Sequence, residues 1–456
     1  MIDVVDPFDG TVVGHVEPTD AGGVEGAVAR ARGAAEAGAP PAWRRAAILD
    51  TVAARLEADR EVWARRIQRE AGKPIRAARV EAERAASTFR FAAAEARALA
   101  GEVVPLDAAA AGEGRLGFTV REPMGVVAAI TPFNFPLNLV AHKLAPAVAA
   151  GCAVVLKPAE RAPLSAVALV AAIRDAGWPE SALQVVHGPG ALVGEPLVTH
   201  PDVSVVTFTG SERVGRRLRL LAPEKRVLLE LGGAAAVVVD ADADLDRAAD
   251  AIVSGGFGYA GQSCISVQRV YVSAPRAAAL LDRVRHGASA LVVGDPALDD
   301  TDVGPMIHRD EAVRVAAWVA DARRAGARCV VGGGAPRGAL LDPTVLTDVP
   351  STHALLTEEV FGPVVVVVPV ASIDEGIARA NDTRFGLNVS VYTARLDVAL
   401  DAARRLRAGT VLVNESPTWR ADQMPYGGEG ASGNTREGPR YAARAFTREK
   451  LVVLRG

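Results

Sequence analysis

One thiol and a few polar side chains at strand ends stand where covalent chemistry could be done. The chain has three cysteines. Cys329 in ARCVVGGG and Cys152 in AAGCAVVLKP lie in or beside apolar runs, the setting of a packed thiol. Cys264 instead closes the turn GYAGQSC, after two glycines and a polar pair. The thiolate is the nucleophilic form of cysteine, and a turn can present it with its own N–H free. Asn134 in TPFNFP follows a buried strand in a turn stiffened by flanking prolines, and its amide is a suitable donor to a developing oxyanion. Lys157 closes VVLKPAE, Ser211 follows a strand in FTGS, and Glu230 ends RVLLELGG. Each has a plainer use when taken alone: Asn134 as a helix cap, Lys157 as an exposed strand end, Glu230 as the partner of a nearby arginine. Taken jointly with the thiol, they fit covalent catalysis assisted by a general base.

The elements that must hold these groups are legible in the hydrophobic pattern. The opening is short and rich in turn residues. Residues 44–70 place Leu49, Val52, Leu56, Trp63 and Ile67 at helical spacing, and an Ala/Arg/Glu-rich helical stretch runs from about 75 to 100. From 125 the chain turns to Val-rich runs: GVVAAITPF, CAVVLKPA, ALQVVHGP, VSVVTFTG and RVLLELGG. Runs of this length separated by helical connections read as buried parallel strands in βαβ units. A second α/β series follows, with QRVYVS, ARCVVGGG, VVVVVPV and LNVSVYT as strands and helices near 275–290, 309–325, 374–382 and 396–407; a second domain begins near Gly233. Chemistry at the carboxyl ends of such strands suits an α/β architecture. The usual glycine fingerprint for dinucleotides is absent, because GPGALVG at 188–194 has one residue too many between its last two glycines.

Composition narrows the function classes. The 456 residues suit two to three domains; half are hydrophobic, 23% are charged, and the formal charge is −3 with both signs interspersed. Nothing in that pattern points to a nucleic-acid face or a polybasic membrane patch. The start MIDVVDPFDGTVVG lacks a signal-peptide pattern, and no uncharged apolar run of about eighteen residues occurs, so the chain reads as cytoplasmic. The cysteine spacing supports neither a disulfide framework nor a zinc site.

The ordered set TPFNFP, LKPAE, FTGS, ELGG, GQSC, EEVFGPV, NDTRFGL and PYGG, with Glu230 and Cys264 thirty-four residues apart, resembles the aldehyde dehydrogenase superfamily over nearly the whole chain. The resemblance implies an α/β fold with a Rossmann-like cofactor domain (1–105 and 124–232), an α/β catalytic domain (233–431) and a small β bridging domain (106–123 and 440–456) that makes a homodimer or homotetramer. It implies an enzyme in which Cys264 attacks an aldehyde and Asn134 with the Cys264 N–H holds the oxyanion. Hydride transfer then leaves a thioester, which water activated by Glu230 hydrolyses. Lys157 and Glu160 are expected near the adenosine ribose, Ser211 near the pyrophosphate, and Glu359 and Phe361 at the nicotinamide. Thr131, Phe133, Gly210 and Gly215 shape the same cleft. A carboxylate at 160 would repel a 2′-phosphate, which favours NAD, although Lys157 and Arg161 leave NADP possible. Glu437 in NTREG matches a second carboxylate in the water channel.

Within the superfamily the chain is similar to the branch containing lactaldehyde and phosphonoacetaldehyde dehydrogenases. Arg90 in TFRFAAAEA, His142 in VAHKLAP and Arg420 in PTWRADQ match the groups that hold a phosphonate in the latter, and guanidinium forks suit such an anion. Ser263 stands where those enzymes put an arginine, so one charge is missing and a hydroxyl replaces it. The expected substrate is a small anionic aldehyde such as phosphonoacetaldehyde or phosphonoformaldehyde. Lactaldehyde or another small neutral aldehyde or semialdehyde is the alternative. Acyl transfer to coenzyme A is disfavoured by Glu230, a base such an enzyme does not need. A non-enzymatic homologue is disfavoured by the intact set Asn134, Glu230, Cys264 and Glu359. No metal is expected.

Overall fold

The Val-rich runs form two sheets. In the computed structural model, which describes residues 1–455, the first sheet has five parallel strands in the spatial order Leu183–Val185, Ala153–Lys157, Val126–Ile130, Val203–Thr209, Arg226–Glu230. Every residue of Val126–Ile130 and Ala153–Lys157 is buried, as continuous apolar strands covered on both faces must be. Register places Lys157 beside Ile130 and Glu230 beside Thr209, so the polar strand ends meet along one edge of the sheet.

The second sheet has seven strands in the order Arg328–Val331, Thr344–Thr347, Val364–Val370, Val267–Ser273, Ala235–Val239, Asn388–Tyr392, Thr410–Val413; only the first pair is antiparallel. Its first strand in sequence begins two residues after Gly233. The helices lie at Ala274–Ser289, Arg309–Arg324, Ile373–Asn381 and Leu396–Arg405, close to the predicted spans.

Three parts of the fold depart from the sequence reading. The opening contains the helix Ala21–Ala37, whose Asp20 accepts from Gly23 N at 2.7 Å as an N-cap; glycines and alanines on all its faces hide the helical period. The stretch 44–70 is two helices, Ala42–Ala58 and Arg60–Ala71, broken at Asp59. The strands Ala235–Val239, Thr344–Thr347 and Thr410–Val413 lie outside the runs that read as strands, the last two being only four residues long.

The long helix Ile75–Ala98 buries a stripe of Ala78, Ala82, Ala85, Ala86, Phe89, Ala92, Ala93 and Ala96 against the core of the first sheet. Small side chains let it approach closely, and the flank of the stripe reaches the site described next. A three-stranded antiparallel sheet is built from Val103–Val104, Arg115–Pro123 and Thr447–Arg455, the last running beside Arg115–Pro123 from Thr447↔Pro123 to Arg455↔Arg115. Its outer strand exposes Leu451, Val453 and Leu454 along an open edge.

Candidate active site

Cys264 owes its place to a turn that few sequences tolerate. Helix Leu245–Phe257 runs into Tyr259 (φ 50°), Ala260 (φ 52°) and Gly261 (φ 68°), three successive left-handed residues. Two of them are not glycine, at a cost of roughly 1–3 kcal/mol each. At Gly261 a Cβ would fall 2.1 Å from Gly362 O, so glycine is required there for space as well. The turn is held from outside: Tyr259 Oη donates to Ala71 O (2.7 Å), and the buried Gln262 side chain donates to Pro305 O (3.3 Å) and accepts from Ile307 N (2.7 Å). The Cys264 Sγ lies 3.1 Å from the Tyr426 hydroxyl. Burial, with Glu230 adding to it, pushes the thiol up to about 12, while the Tyr426 hydrogen bond works the other way.

Asn134 is buried, and its Nδ2 donates to Gln262 O at 3.0 Å. An amide nitrogen carries two hydrogens, so one donor remains. Glu230 is 1% exposed, and neither carboxyl oxygen has a hydrogen-bond partner. Burial first, then the nearby Glu437, raises its pKa well above the ordinary carboxylate value. Glu437 is the opposite case. Burial opposes its charge, but Lys143 Nζ at 3.2 Å and Arg420 Nη2 at 3.5 Å outweigh that and hold it at about 2.

Two cavities meet at Cys264. The larger, about 430 Å³, is lined by Pro132, Phe133, Asn134, Arg161, Gly210, Ser211, Glu359, Phe361 and the segment from Met306 to Arg314. Phe133 and Phe361 meet edge to face at 5.9 Å. Glu359 Oε1 accepts from Gly233 N (3.0 Å), and a Cβ at Gly232 would fall 2.1 Å from its other oxygen. Burial pushes Glu359 up to about 7. Ser211 occupies the N-cap position of helix Glu212–Leu221 without a side-chain cap bond, which leaves the first N–H groups available to an anion. A groove with a helix N-terminus, a glycine cradle, a buried carboxyl and an aromatic wall fits a dinucleotide even without the usual fingerprint.

Lys157 and Glu160 lie beyond this wall. Lys157 is buried with Nζ 3.5 Å from Glu160 Oε1, which also accepts from Gly190 N (3.1 Å) in the GPGALVG turn. Thr131 Oγ1 is buried without a partner. Gly215 is not part of the wall: it lies inside helix Glu212–Leu221, where a Cβ would fall 2.4 Å from Leu231 Cδ2, so it serves close packing of helix on strand.

The smaller cavity, about 190 Å³, is lined by Lys73, Arg84, Phe135, Glu230, Tyr259, Ser263, Cys264, Arg420 and Tyr426 among others. Arg420 stacks on Tyr426 with Cζ 3.8 Å from the ring centre, and its Nη2 is 3.2 Å from His142 Nε2. The Arg420 Nε is buried with no partner. His142 stands behind Arg420 and outside the wall, with Nε2 3.2 Å from Asp422 Oδ1. Burial and the neighbouring Arg420 hold its pKa at about 4, so it is neutral and adds no positive charge to the cavity.

Arg90 is not brought to the site. It points outward from helix Ile75–Ala98, pairing with Glu57 (2.6 Å) and Asp50 (3.7 Å) on helix Ala42–Ala58. The arginine of helix Ile75–Ala98 that lines the cavity is Arg84, which donates to Asp422 Oδ1 at 2.9 Å. The helical pattern alone does not choose between them: Arg84 lies on the flank of the alanine stripe that carries the buried Glu81 and Thr88, and Arg90 on the opposite flank. Lys73, which carries no motif of its own, lines the same cavity. Its buried Nζ pairs with Glu81 and sits 3.7 Å from the Phe135 ring centre, while Glu81 caps Leu137 N (2.9 Å) and Asn138 N (3.1 Å).

Comparison with known proteins agrees with this geometry: the model of the aldehyde dehydrogenase family matches residues 1–452. The chain belongs to the aldehyde dehydrogenase family. It is 45% identical over 412 residues to a 3-sulfolactaldehyde dehydrogenase of Priestia megaterium, covering 90% of this chain and 86% of that protein. It is 36% identical to a sulfoacetaldehyde dehydrogenase of Neptuniibacter caesariensis, covering 99% of both. The crystal structure of the glyceraldehyde-3-phosphate dehydrogenase GapN from Methanocaldococcus jannaschii, complexed with NADP, superposes with a TM-score of 0.96 at 36% identity, covering 100% of this chain and 99% of that one. No group of three or more potential metal ligands occurs among the described residues, and none of their helices is long and apolar enough to cross a membrane.

Proposed function

We propose that this aldehyde dehydrogenase oxidises a small aldehyde carrying a sulfonate or phosphonate to the carboxylic acid, with NAD(P) as hydride acceptor. The observation that carries the anion is the wall of the smaller cavity, where the side chains of Arg420, Arg84 and Lys73 meet beside Cys264. A tetrahedral anion with three oxygens would find charge-assisted donors in such a wall. The names of the relatives given above lean towards a sulfonate, and Ser263 adds a neutral donor to the same wall.

In this reading the Cys264 sulfur bonds to the carbonyl carbon and the thiol proton passes through water to the Glu230 carboxylate, which returns it to solvent before hydrolysis. The resulting oxyanion accepts from the free Asn134 amide hydrogen and the Cys264 N–H. A nicotinamide held by Glu359 and Phe361 would supply the two-electron acceptor for the hydride on that carbon, and a thioester would remain on Cys264. Water adds its oxygen to the thioester carbon, its proton passes to the Glu230 carboxylate, and the carbon–sulfur bond breaks to free the acid and regenerate the thiol. A carboxyl raised by burial suits a base that works near neutral pH. The dinucleotide would lie against the five-stranded sheet, with Ser211 and Gly210 at the pyrophosphate and Lys157 and Glu160 at the adenosine ribose, and Glu359 and Phe361 from the seven-stranded half would meet its nicotinamide end. Glu160, placed beside Lys157, favours NAD. The open edge of Thr447–Arg455 is where subunits of a dimer or tetramer would join.

The test is NAD(P)H formation with phosphonoacetaldehyde, sulfoacetaldehyde and a neutral aldehyde of similar length, run beside Cys264→Ser. Preference for the charged aldehydes, lost in the variant, supports the reading; preference for the neutral aldehyde removes the anion site and keeps the chemistry.

A further inference from the structure

We infer that the Tyr426 hydroxyl is a catalytic hydrogen-bond donor to the Cys264 sulfur, stabilising its thiolate. This goes beyond the proposed function and rests on that reading only for Cys264 being the nucleophile. Tyr426 Oη is 3.1 Å from Sγ, within the range for a hydrogen bond to sulfur, and it is the one side-chain partner of that sulfur among the described residues. While the sulfur is a thiol, either group can donate. Once it is a thiolate it can only accept, so the phenol must be the donor.

The surroundings suit that role. The Tyr426 ring is 1% exposed and packs with Ile265 and Leu387, so the hydroxyl has one available position. Its backbone is fixed as well, since Tyr426 N donates to Glu437 O at 3.1 Å. The Arg420 guanidinium over the ring face draws electron density from the phenol, which strengthens the O–H as a donor. The phenol also keeps its proton, because burial, the neighbouring thiol and Glu230 all raise it well above its ordinary value. The charged and titratable groups facing the sulfur are Glu230, Glu359 and Arg420; the two carboxyls oppose a thiolate, and the hydroxyl and guanidinium favour it. No bond to Tyr426 forms or breaks in this role. Phenylalanine would fill the same space, so the effect is confined to one O–H.

The experiment is the pH dependence of Cys264 alkylation by iodoacetamide in the full-length protein, with the site assigned by mass spectrometry in a Cys329→Ser background. Tyr426→Phe is expected to slow alkylation at pH 8 about ten- to a hundredfold and to move the profile alkaline, the usual worth of a hydrogen bond to a charged group. Site-specific 3-fluorotyrosine at 426, a stronger donor of nearly the same volume, is expected to move the profile the other way, which decides the matter if the Phe variant folds poorly. Turnover should fall in Tyr426→Phe with KM for the dinucleotide unchanged. Identical alkylation profiles in all three proteins would overturn the inference. Activity retained in Cys264→Ser would instead overturn the nucleophile assignment, whatever the Tyr426 variants show.

Discussion

Glu230 and Glu437 are both buried in the same site, and their surroundings push their carboxyl groups in opposite directions, Glu230 towards holding its proton and Glu437 towards losing it. Glu230 has no partner for either oxygen, whereas Glu437 is met by Lys143 at 3.2 Å and Arg420 at 3.5 Å. A proton placed near this pair goes to Glu230 first. Because Glu437 stays ionised, its charge is one reason Glu230 is raised. Glu437→Gln removes that repulsion and leaves Lys143 and Arg420 to act on Glu230 alone. The acid limb of the pH–turnover profile is expected to move to lower pH, read from steady-state rates across pH 5–9. A limb that stays in place would separate Glu230 from the rate-limiting ionisation.

The same pair sets a stability term with a defined sign. Glu437 is held at about 2, below its ordinary 4.5, so its contribution is present above 4.5 and is lost as pH falls through 2. Removing the counter-charge should expose it at neutral pH: Lys143→Met is expected to cost about 3–5 kcal/mol in denaturant unfolding, the usual penalty for an uncompensated buried charge. Loss of less than about 1 kcal/mol would mean Arg420 alone suffices.

Asn134 already gives one amide hydrogen to Gln262 O, at 3.0 Å, and the other is free for an oxyanion. Asn134→Ala should lower kcat about 10²–10³-fold with the protein folded, as loss of one such donor does. Turnover retained in that variant would assign the side chain to holding the turn through Gln262.

If the anion sits against Arg420 and Arg84, then Arg84→Met and Arg420→Met should each raise KM for a charged aldehyde about tenfold or more, with a smaller change for a neutral one. Arg90→Ala, on the outer face of the helix and paired with Glu57, should leave both unchanged. Equal loss for charged and neutral aldehydes would show the arginines shaping the wall and not binding charge.

Glu160 binds Gly190 N at 3.1 Å and faces Lys157 Nζ at 3.5 Å. Glu160→Gln keeps a hydrogen-bond acceptor and removes the charge, so the ratio of kcat/KM for NADP over NAD should rise about tenfold, the scale of one like-charge contact. An unchanged ratio would place discrimination elsewhere in the groove.

The chemistry of the site was legible because it is carried by residues at strand ends and in one unusual turn, where local pattern and position coincide. Cys264, Asn134, Glu359 and Ser211 share the larger cavity, and Glu230 shares the smaller one with Cys264. What the sequence could not settle was orientation. Arg84 and Arg90 are six positions apart on one helix, and only its packing against Ala42–Ala58 decides which of them turns inward. His142 looks like a potential cation on paper, but complete burial beside Arg420 makes it neutral. The helix Ala21–Ala37 is hard to read because its buried stripe, Val24, Ala27, Val28 and Ala31, is half alanine and stands out little among the alanines and glycines around it.

The two cavities share only Leu139, Thr209 and Cys264 in their linings. A molecule small enough to fill one therefore need not touch the other. An inhibitor shaped for the narrow chamber is expected to compete with aldehyde while leaving dinucleotide affinity alone, and one shaped for the broad groove to do the reverse. Only a compound that reaches the shared sulfur should block both at once.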